Sequence, residues 1–398
     1  MPLTKVLYIS YDGIGDPLGR SQVLPYIKNL SQEGVEIYLV SFEKNIERKN
    51  DLDKELSGLG IRWIPLRYHK GPIFAKIWDI AAGMSSAGTA IRKNRIRIVH
   101  SRGYVAGFIA MCLKKVFSLK FIFDMRGLWV DEMVDAGVLI RNGLRYKIAK
   151  WVEKALLLSA DEIIALTHAL EDRIKRSLYP RGGTLPITIV PTCVDLELFY
   201  PARRKDTADA PFKDRFVVSY FGSIGTYYNL SAVLDFYKIL PLRFKNAYIL
   251  IMANNSHASV KKMICEKGIG PDSYYLGFAA HEEVPGWLRN ADVSIIFYNR
   301  KYSKEGCCPT KLGESLACGV PVIINDGVGD CSSIVRERNI GVVIKDFTEA
   351  SYLKAIDEVK QLFKDRENLS KRCRIAAEEL FSLDSGVEKY LAVYNKLV

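Results

Sequence analysis

Short, nearly continuous apolar runs recur along the chain, and the stretches between them repeat their apolar positions every three to four residues. The β-type runs fall at 5–10, 35–42, 61–66, 96–101, 119–125, 162–167 and 187–191, then at 216–222, 247–253, 273–277, 291–298, 320–325 and 340–345. Val35-Glu36-Ile37-Tyr38-Leu39-Val40 and Val320-Pro321-Val322-Ile323-Ile324 are apolar enough to be covered on both faces of a parallel sheet. Helical patterns lie between the runs, for example at 20–33, closed by Gly34, and at 348–363. This alternation predicts an α/β protein of right-handed strand–helix–strand units.

Residues 201–214 break the pattern: they are polar, contain two prolines and have no periodicity. They predict a linker or exposed loop. Each side of it carries enough strands for its own doubly wound sheet. In such sheets ligands sit at the carboxyl ends of the strands, here expected in a crevice between two domains.

With 398 residues, 48% of them hydrophobic and 26% charged, the composition excludes a disordered chain, a fibre or a polytopic membrane protein. No apolar run reaches the roughly 18 residues of a spanning helix, and Lys5–Ser10 runs straight into a Gly-rich loop, so a cytosolic protein is expected. The eight cysteines form no C-x-x-C pair, and the Cys307-Cys308 doublet suits neither zinc nor an intrachain disulfide, so free thiols are expected. The net charge is +12, and residues 51–150 hold 18 Lys and Arg against 8 Asp and Glu. Such a surface attracts phosphorylated substrates, anionic lipid or nucleic acid, or is simply solvated. No nucleic-acid-binding motif accompanies it, so nucleic acid is not expected as a partner.

Three segments carry candidate chemistry. After the first strand comes Tyr11-Asp12-Gly13-Ile14-Gly15-Asp16-Pro17-Leu18-Gly19-Arg20, where glycines and a helix start suit an anion, although the spacing is not that of a dinucleotide site. A plain loop is the alternative. The second half opens with Val217–Phe221 and then Gly222-Ser223-Ile224-Gly225, again strand, Gly-rich loop and helix. In Glu305-Gly306-Cys307-Cys308-Pro309-Thr310-Lys311-Leu312-Gly313-Glu314, Lys311 and Glu314 share one helical face. Together they suit a diphosphate and a ribose diol, or form an ordinary surface ion pair.

The 305–323 stretch resembles the signature of the retaining glycosyltransferases of family four. The first Gly loop, the Ile189–Phe199 hinge, the Tyr275–Phe278 strand end, Ala291-Asp292-Val293 and the terminal Tyr390–Tyr394 helix are similar to the same family. The resemblance implies two Rossmann-like domains facing each other across a cleft, the GT-B fold. Residues 1–198 would bind the acceptor, 199–383 the nucleotide sugar, and 384–398 would return to the first domain. Glu314 would hold the donor ribose, Lys311 the diphosphate and Glu305 the sugar hydroxyls. Gly222, Ser223, Gly306, Cys307, Cys308 and Leu312 would line the donor, with Gly277 and Phe278 beside the base. Gly13, Gly15, Arg20 and His100 would belong to the acceptor side.

The chain departs from the family in three places. Eight residues rather than seven separate the two glutamates. Ser223 and Tyr228 stand where relatives carry cations, so Arg300, Lys301 or Arg20 would compensate. Arg126 stands near the position of a family histidine, beside Asp124 at a strand end. The pair acts on the leaving phosphate and acceptor, or simply closes the strand. His100 is an acceptor contact or a structural histidine. Asp51-Leu52-Asp53 reads as a solvated helix face, so no metal and no cofactor beyond the nucleotide-sugar co-substrate is expected. Ile73, Phe74, Ile77 and Trp78 beside Lys70 and Lys76, with Arg92, Lys93, Arg95, Arg97, Lys114 and Lys115 further on, suit an anionic membrane surface or a core-facing helix. The implied function is transfer of a sugar from a nucleotide-diphosphate sugar to a glycan or lipid-linked acceptor, in the cytoplasm or peripherally on the membrane's inner face, in cell-surface polysaccharide or glycolipid synthesis. The alternatives are a sugar-nucleotide epimerase or a non-catalytic sugar-nucleotide-binding protein.

Overall fold

The computed structural model describes residues 4–45, 49–71, 73–178, 184–202, 212–222, 225, 227–253 and 257–398. The chain forms two compact units, Met1–Pro191 with Leu383–Val398, and Thr192–Ser382.

The first unit runs β1 (Lys5–Ser10), α1 (Pro17–Gln22), α2 (Leu24–Gln32), β2 (Glu36–Glu43), α3 (Lys49–Gly58), β3 (Arg62–Arg67) and α4 (Ile73–Asn94). It continues with β4 (Ile98–Arg102), α5 (Gly103–Val116), β5 (Lys120–Met125), α6 (Trp129–Asp135), α7 (Leu144–Ser159), β6 (Glu162–Ala165), α8 (His168–Leu178) and β7 (Ile187–Ile189). All seven strands are parallel, in the order β3-β2-β1-β4-β5-β6-β7. Register is set by apolar runs that pair residue for residue, such as Val6 with Ile37 and Ile98. One core joins Leu7, Ile9, Phe121 and Phe123 of the strands to Ile91, Ile109, Leu113 and Leu156 of the helices that cover one face.

The second unit runs β8 (Phe216–Phe221), α9 (Leu230–Ile239), β9 (Ala247–Met252), α10 (His257–Glu266), β10 (Tyr274–Gly277), α11 (Val284–Leu288) and β11 (Val293–Ile296). It continues with α12 (Thr310–Ala317), β12 (Val322–Asn325), α13 (Cys331–Arg338), β13 (Gly341–Ile344), α14 (Glu349–Leu362) and α15 (Arg366–Phe381). Its parallel sheet has the order β10-β9-β8-β11-β12-β13. The final helix, α16 (Leu383–Leu397), packs on α2 of the first unit, with Tyr390 edge-on to Tyr26 at 5.4 Å. Both sheets are of the doubly wound kind expected of two Rossmann-like domains.

Details differ from the sequence pattern. The helix expected at 20–33 is two helices broken at Val23, because Pro25 has no N–H to continue the ladder and starts a new first turn. The two units part between Pro191 and Thr192 and again between Ser382 and Leu383. The Val194 N–H bonds the Phe381 carbonyl at 2.8 Å, and Arg374 bonds the carbonyls of Leu196 and Phe199, so the 192–199 segment is held by the second unit. In the stretch expected to be exposed at 201–214, Pro201 and Ala202 are exposed and 203–211 lie outside the described residues. Phe212 is instead buried, edge-on to Tyr248 and Trp287. All eight cysteines are free thiols. No helix among the described residues is long and apolar enough to cross a membrane.

Candidate functional site

In the second unit, β8 delivers Gly222 to the carboxyl edge of the sheet with φ +135°, a conformation that side chains rarely adopt. Its N–H bonds the Met252 carbonyl at 2.9 Å, and a Cβ there would lie 2.0 Å from Lys311 Nζ. Glycine is therefore what lets the lysine lie against the backbone. Lys311 sits in the first turn of α12, whose start is fixed by Pro309 at the cap. The Lys311 ammonium stands 3.3 Å from the centre of the Tyr228 ring and 5.2 Å from that of Tyr220. Two aromatic faces thus partly replace the lost water. Burial still dominates and lowers the lysine from 10.5 to about 7, against the opposing pull of Glu314 and Cys307.

One helical turn on, Glu314 is 8% exposed, and burial raises its carboxyl from 4.5 to about 7 despite Lys311. No ion pair forms between the two; the ionisable group within 4 Å of Glu314 is instead the His281 imidazole, with Nδ1 3.8 Å from Oε1. His281 is itself kept neutral, lowered by burial against the charges of Glu282 and Asp195. The surface ion pair that the spacing allowed is therefore not what the fold makes. A cation and a carboxylate are both held out of water, and each is costly to charge until a partner arrives.

Around this pair, Tyr298 donates to Tyr228 (3.0 Å) and receives the Cys307 thiol at 4.0 Å. Gly277 and Phe278 end β10 at the same edge, where the Gly277 carbonyl accepts from Ala253 N–H and Phe278 is 60% exposed. Leu312 is fully buried. The Cys308 side chain is also buried, its thiol pushed up to about 12, while its carbonyl accepts from Thr192 Oγ1 at 2.8 Å. Gly306 is buried at the end of a 3₁₀ turn. Glu305 lines a recess of about 500 Å³ with Arg300, Lys301 and Lys345, so the arginine and the lysine expected to back up Lys311 stand beside Glu305. Ser223 lies outside the described residues.

In the first unit the Gly-rich loop is already filled. Glu43, at the end of β2 and 4% exposed, accepts from Ile14 N–H at 2.9 Å, Gly15 N–H at 3.2 Å and Ser41 Oγ at 2.6 Å. A Cβ at Gly13 would stand 2.8 Å from its Oε2. The loop that suited an anion holds this internal carboxylate, through the N–H groups of Ile14 and Gly15. Arg20 is turned to Glu55 on α3, at 2.8 and 3.1 Å.

At the ends of β4 and β5 a second buried cluster forms. Asp124 is fully buried and meets Tyr390 Oη at 3.1 Å, Arg126 at 3.5 Å, His100 Nε2 at 3.7 Å and Arg102 at 3.8 Å. Burial opposes its charge, but Arg126, His100 and Arg102 outweigh burial and hold its carboxyl well below the usual range. His100 is fully buried and bonds Tyr394 Oη at 2.7 Å through Nδ1; burial lowers its pKa from the usual 6.5, against the pull of Asp124. Neither Asp124 nor His100 can touch an acceptor from this position, whereas the Arg126 side chain is 15% exposed and reaches Gln22 at 3.4 Å. Asp51 and Asp53 are exposed on α3 on either side of buried Leu52. Among the described residues no group of three His, Cys, Asp or Glu side chains could hold a metal ion.

Residues 22–198 match the model described as Glycosyltransferase Family 4, and residues 202–376 match that of Glycosyl transferases group 1. The chain belongs to the GT-B glycosyltransferases of family four. This glycosyltransferase is 23% identical over 294 residues to a probable glycosyltransferase, WbjE, of Pseudomonas aeruginosa, covering 72% of this chain and 70% of that one. Its fold is similar to sucrose-phosphate synthase from Thermosynechococcus elongatus (TM-score 0.74, 18% identity, 99% of each chain). It is also similar to Anabaena HepE in complex with UDP-glucose (TM-score 0.74, 12% identity, 99% of this chain and 100% of that one).

Two residues of this glycosyltransferase's site escape sequence reasoning. His281 has no metal-ligand spacing, and only its place four residues past the β10 end signals it. Lys304, just before Glu305, is 3% exposed and lies over the Tyr227 ring at 3.8 Å.

Proposed function

We propose that this glycosyltransferase moves a sugar from a nucleotide-diphosphate sugar to an acceptor hydroxyl, with retention of anomeric configuration. The observation that carries the proposal is the pair Lys311 and Glu314, one helical turn apart, both buried and not in ion-pair contact with each other. A diphosphate supplies the anion that recharges Lys311, and a ribose diol supplies two donors to the Glu314 carboxylate. The likeness to a fold that binds UDP-glucose supports a sugar nucleotide as the ligand.

In this reading Phe278 borders the base, Glu305 binds sugar hydroxyls, and the amides of Gly306 and Cys307 face sugar and phosphate. Lys311 and the α12 N-terminus stabilise the departing diphosphate without a metal. The leaving phosphate takes the acceptor proton, which keeps attack and departure on one face of the sugar. Arg126 contacts the acceptor side, and Asp124 is a positioning residue that keeps Arg126 charged and aimed. The acceptor is a glycan or lipid-linked hydroxyl of cell-surface polysaccharide or glycolipid synthesis, met in the cytoplasm at the inner face of the membrane.

The test screens UDP-, GDP- and ADP-sugars for thermal stabilisation, then reads the product anomer by NMR with the stabilising donor. One donor class stabilises the native chain and not Lys311→Ala, and the product keeps the donor's configuration. Equal stabilisation of both proteins, or an inverted product, refutes the reading.

A further inference from the structure

Helix α7 has two apolar faces where a surface helix needs one. Leu156 and Leu157 point into the core of the first unit. On the opposite side Leu144, Ile148, Trp151 and Leu158 are all more than half exposed, spaced four, three and seven residues apart along one side of the helix. None of these four side chains belongs to the core of the first unit. The borders of this stripe carry charge of one sign: Arg145 on one side and Lys147 and Lys154 on the other, all exposed, with no acidic partner within 4 Å among the described residues. The helix's one acid, Glu153, is buried and engaged by Lys150 and Tyr104. Just before the helix, Val138 and Ile140 are 63% and 83% exposed.

A second apolar cluster lies on the same layer. Helices α4 and α7 flank α5 on one face of the sheet, and crossover helices of this hand start at the carboxyl edge of the strands. At that edge α4 opens with Phe74, Ile77 and Trp78, each more than half exposed, beside exposed Lys70 and Lys76. The cations of the last turns, Arg92, Lys93, Lys114 and Lys115, fall at the opposite edge, away from these apolar groups.

We infer that the exposed face of α7, with the leading turn of α4, docks on an anionic lipid bilayer. Apolar side chains in a row enter the acyl boundary, and flanking cations meet the headgroup charge. A second copy of the chain is the less favoured occupant, because pairing two such stripes would set Arg145, Lys147 and Lys154 against their own copies. The inference rests on the peripheral-membrane part of the proposal above and not on sugar transfer. It places at the lipid surface the strand edge that carries Arg126.

Flotation with vesicles of phosphatidylcholine, alone or with about a third phosphatidylglycerol, tests it. The native chain floats with the anionic vesicles only. Ile148→Ser with Trp151→Ser lowers partitioning at least about tenfold, and Arg145→Gln, Lys147→Gln and Lys154→Gln together lower it on the order of a hundredfold. All five side chains are exposed, so both variants keep the native thermal midpoint and the native response to sugar nucleotides. Equal partitioning onto both vesicle types, or unchanged binding by both variants, overturns the inference. So does a dimer that Ile148→Ser with Trp151→Ser dissolves while no form binds vesicles. Sugar-nucleotide stabilisation, read in the same samples, fails separately if the transferase proposal is wrong.

Discussion

Replacing Glu314 with Gln should stabilise the empty protein while removing its donor response. The carboxyl is raised from 4.5 to about 7 by burial, so the folded chain holds its proton over a range where the unfolded chain has released it. A group shifted in this direction contributes most below 4.5, and its contribution is lost as pH rises towards 7. The gap between 4.5 and about 7, at about 1.4 kcal/mol per pH unit, amounts to about 3 kcal/mol at pH 7. That is a ceiling, because Glu314 also favours the charge on Lys311, and its loss leaves that ammonium costlier to bury. For a unit of the size of Thr192–Ser382, about 3 kcal/mol corresponds to a rise in Tm of roughly 6–12 °C. Scanning calorimetry at pH 7 and pH 5 reads it. At pH 5 the native carboxyl is protonated when folded, and the advantage of Gln shrinks to about 1 kcal/mol or less. The variant should also lose the stabilisation that a sugar nucleotide gives the native chain. A Tm no higher at pH 7, or a gain as large at pH 5, would refute the reasoning.

Two further changes probe the fixed parts of each unit. Asp124→Ala leaves Arg126, Arg102 and Tyr390 around an empty buried site, and should cost about 3–5 kcal/mol in urea unfolding of the first unit; a loss under about 1 kcal/mol would show that the cluster is not electrostatically closed. Gly222→Ala places a Cβ 2.0 Å from Lys311 Nζ at φ +135°. It should raise the donor dissociation constant at least about tenfold for about 1–3 kcal/mol of stability; unchanged affinity by calorimetry would separate Lys311 from the donor.

The strands were legible because burial on both faces demands apolar runs, and each of the thirteen runs in the sequence pattern has its strand in the sheets. Lys311 and Glu314 were legible as neighbours because helical spacing is local, but their separation from each other was not. That depends on Tyr228 drawing the ammonium to its ring, and on His281, thirty-three residues earlier in the chain, lying nearer the carboxylate. The Gly13–Gly15 loop misled for a related reason. Glycines and a helix start announce an anion site, but nothing local reveals that Glu43, from the neighbouring strand, is the anion. The exposed stripe of α7 has the same heptad spacing as a core stripe, and only the fold shows which of its two apolar faces is surplus.

Because α16 belongs with residues 1–191, the second unit is an insertion in the first. Tyr390 reaches Asp124 across 266 positions of sequence, and Tyr394 reaches His100 across 294. On the ribosome, then, Thr192–Ser382 emerges whole before the earlier unit has received its last helix. Until that helix arrives, Asp124 and His100 face water rather than tyrosine. Folding order is thereby inverted relative to chain order: the part made second can finish first, and the part made first waits until Leu383–Leu397 has been made.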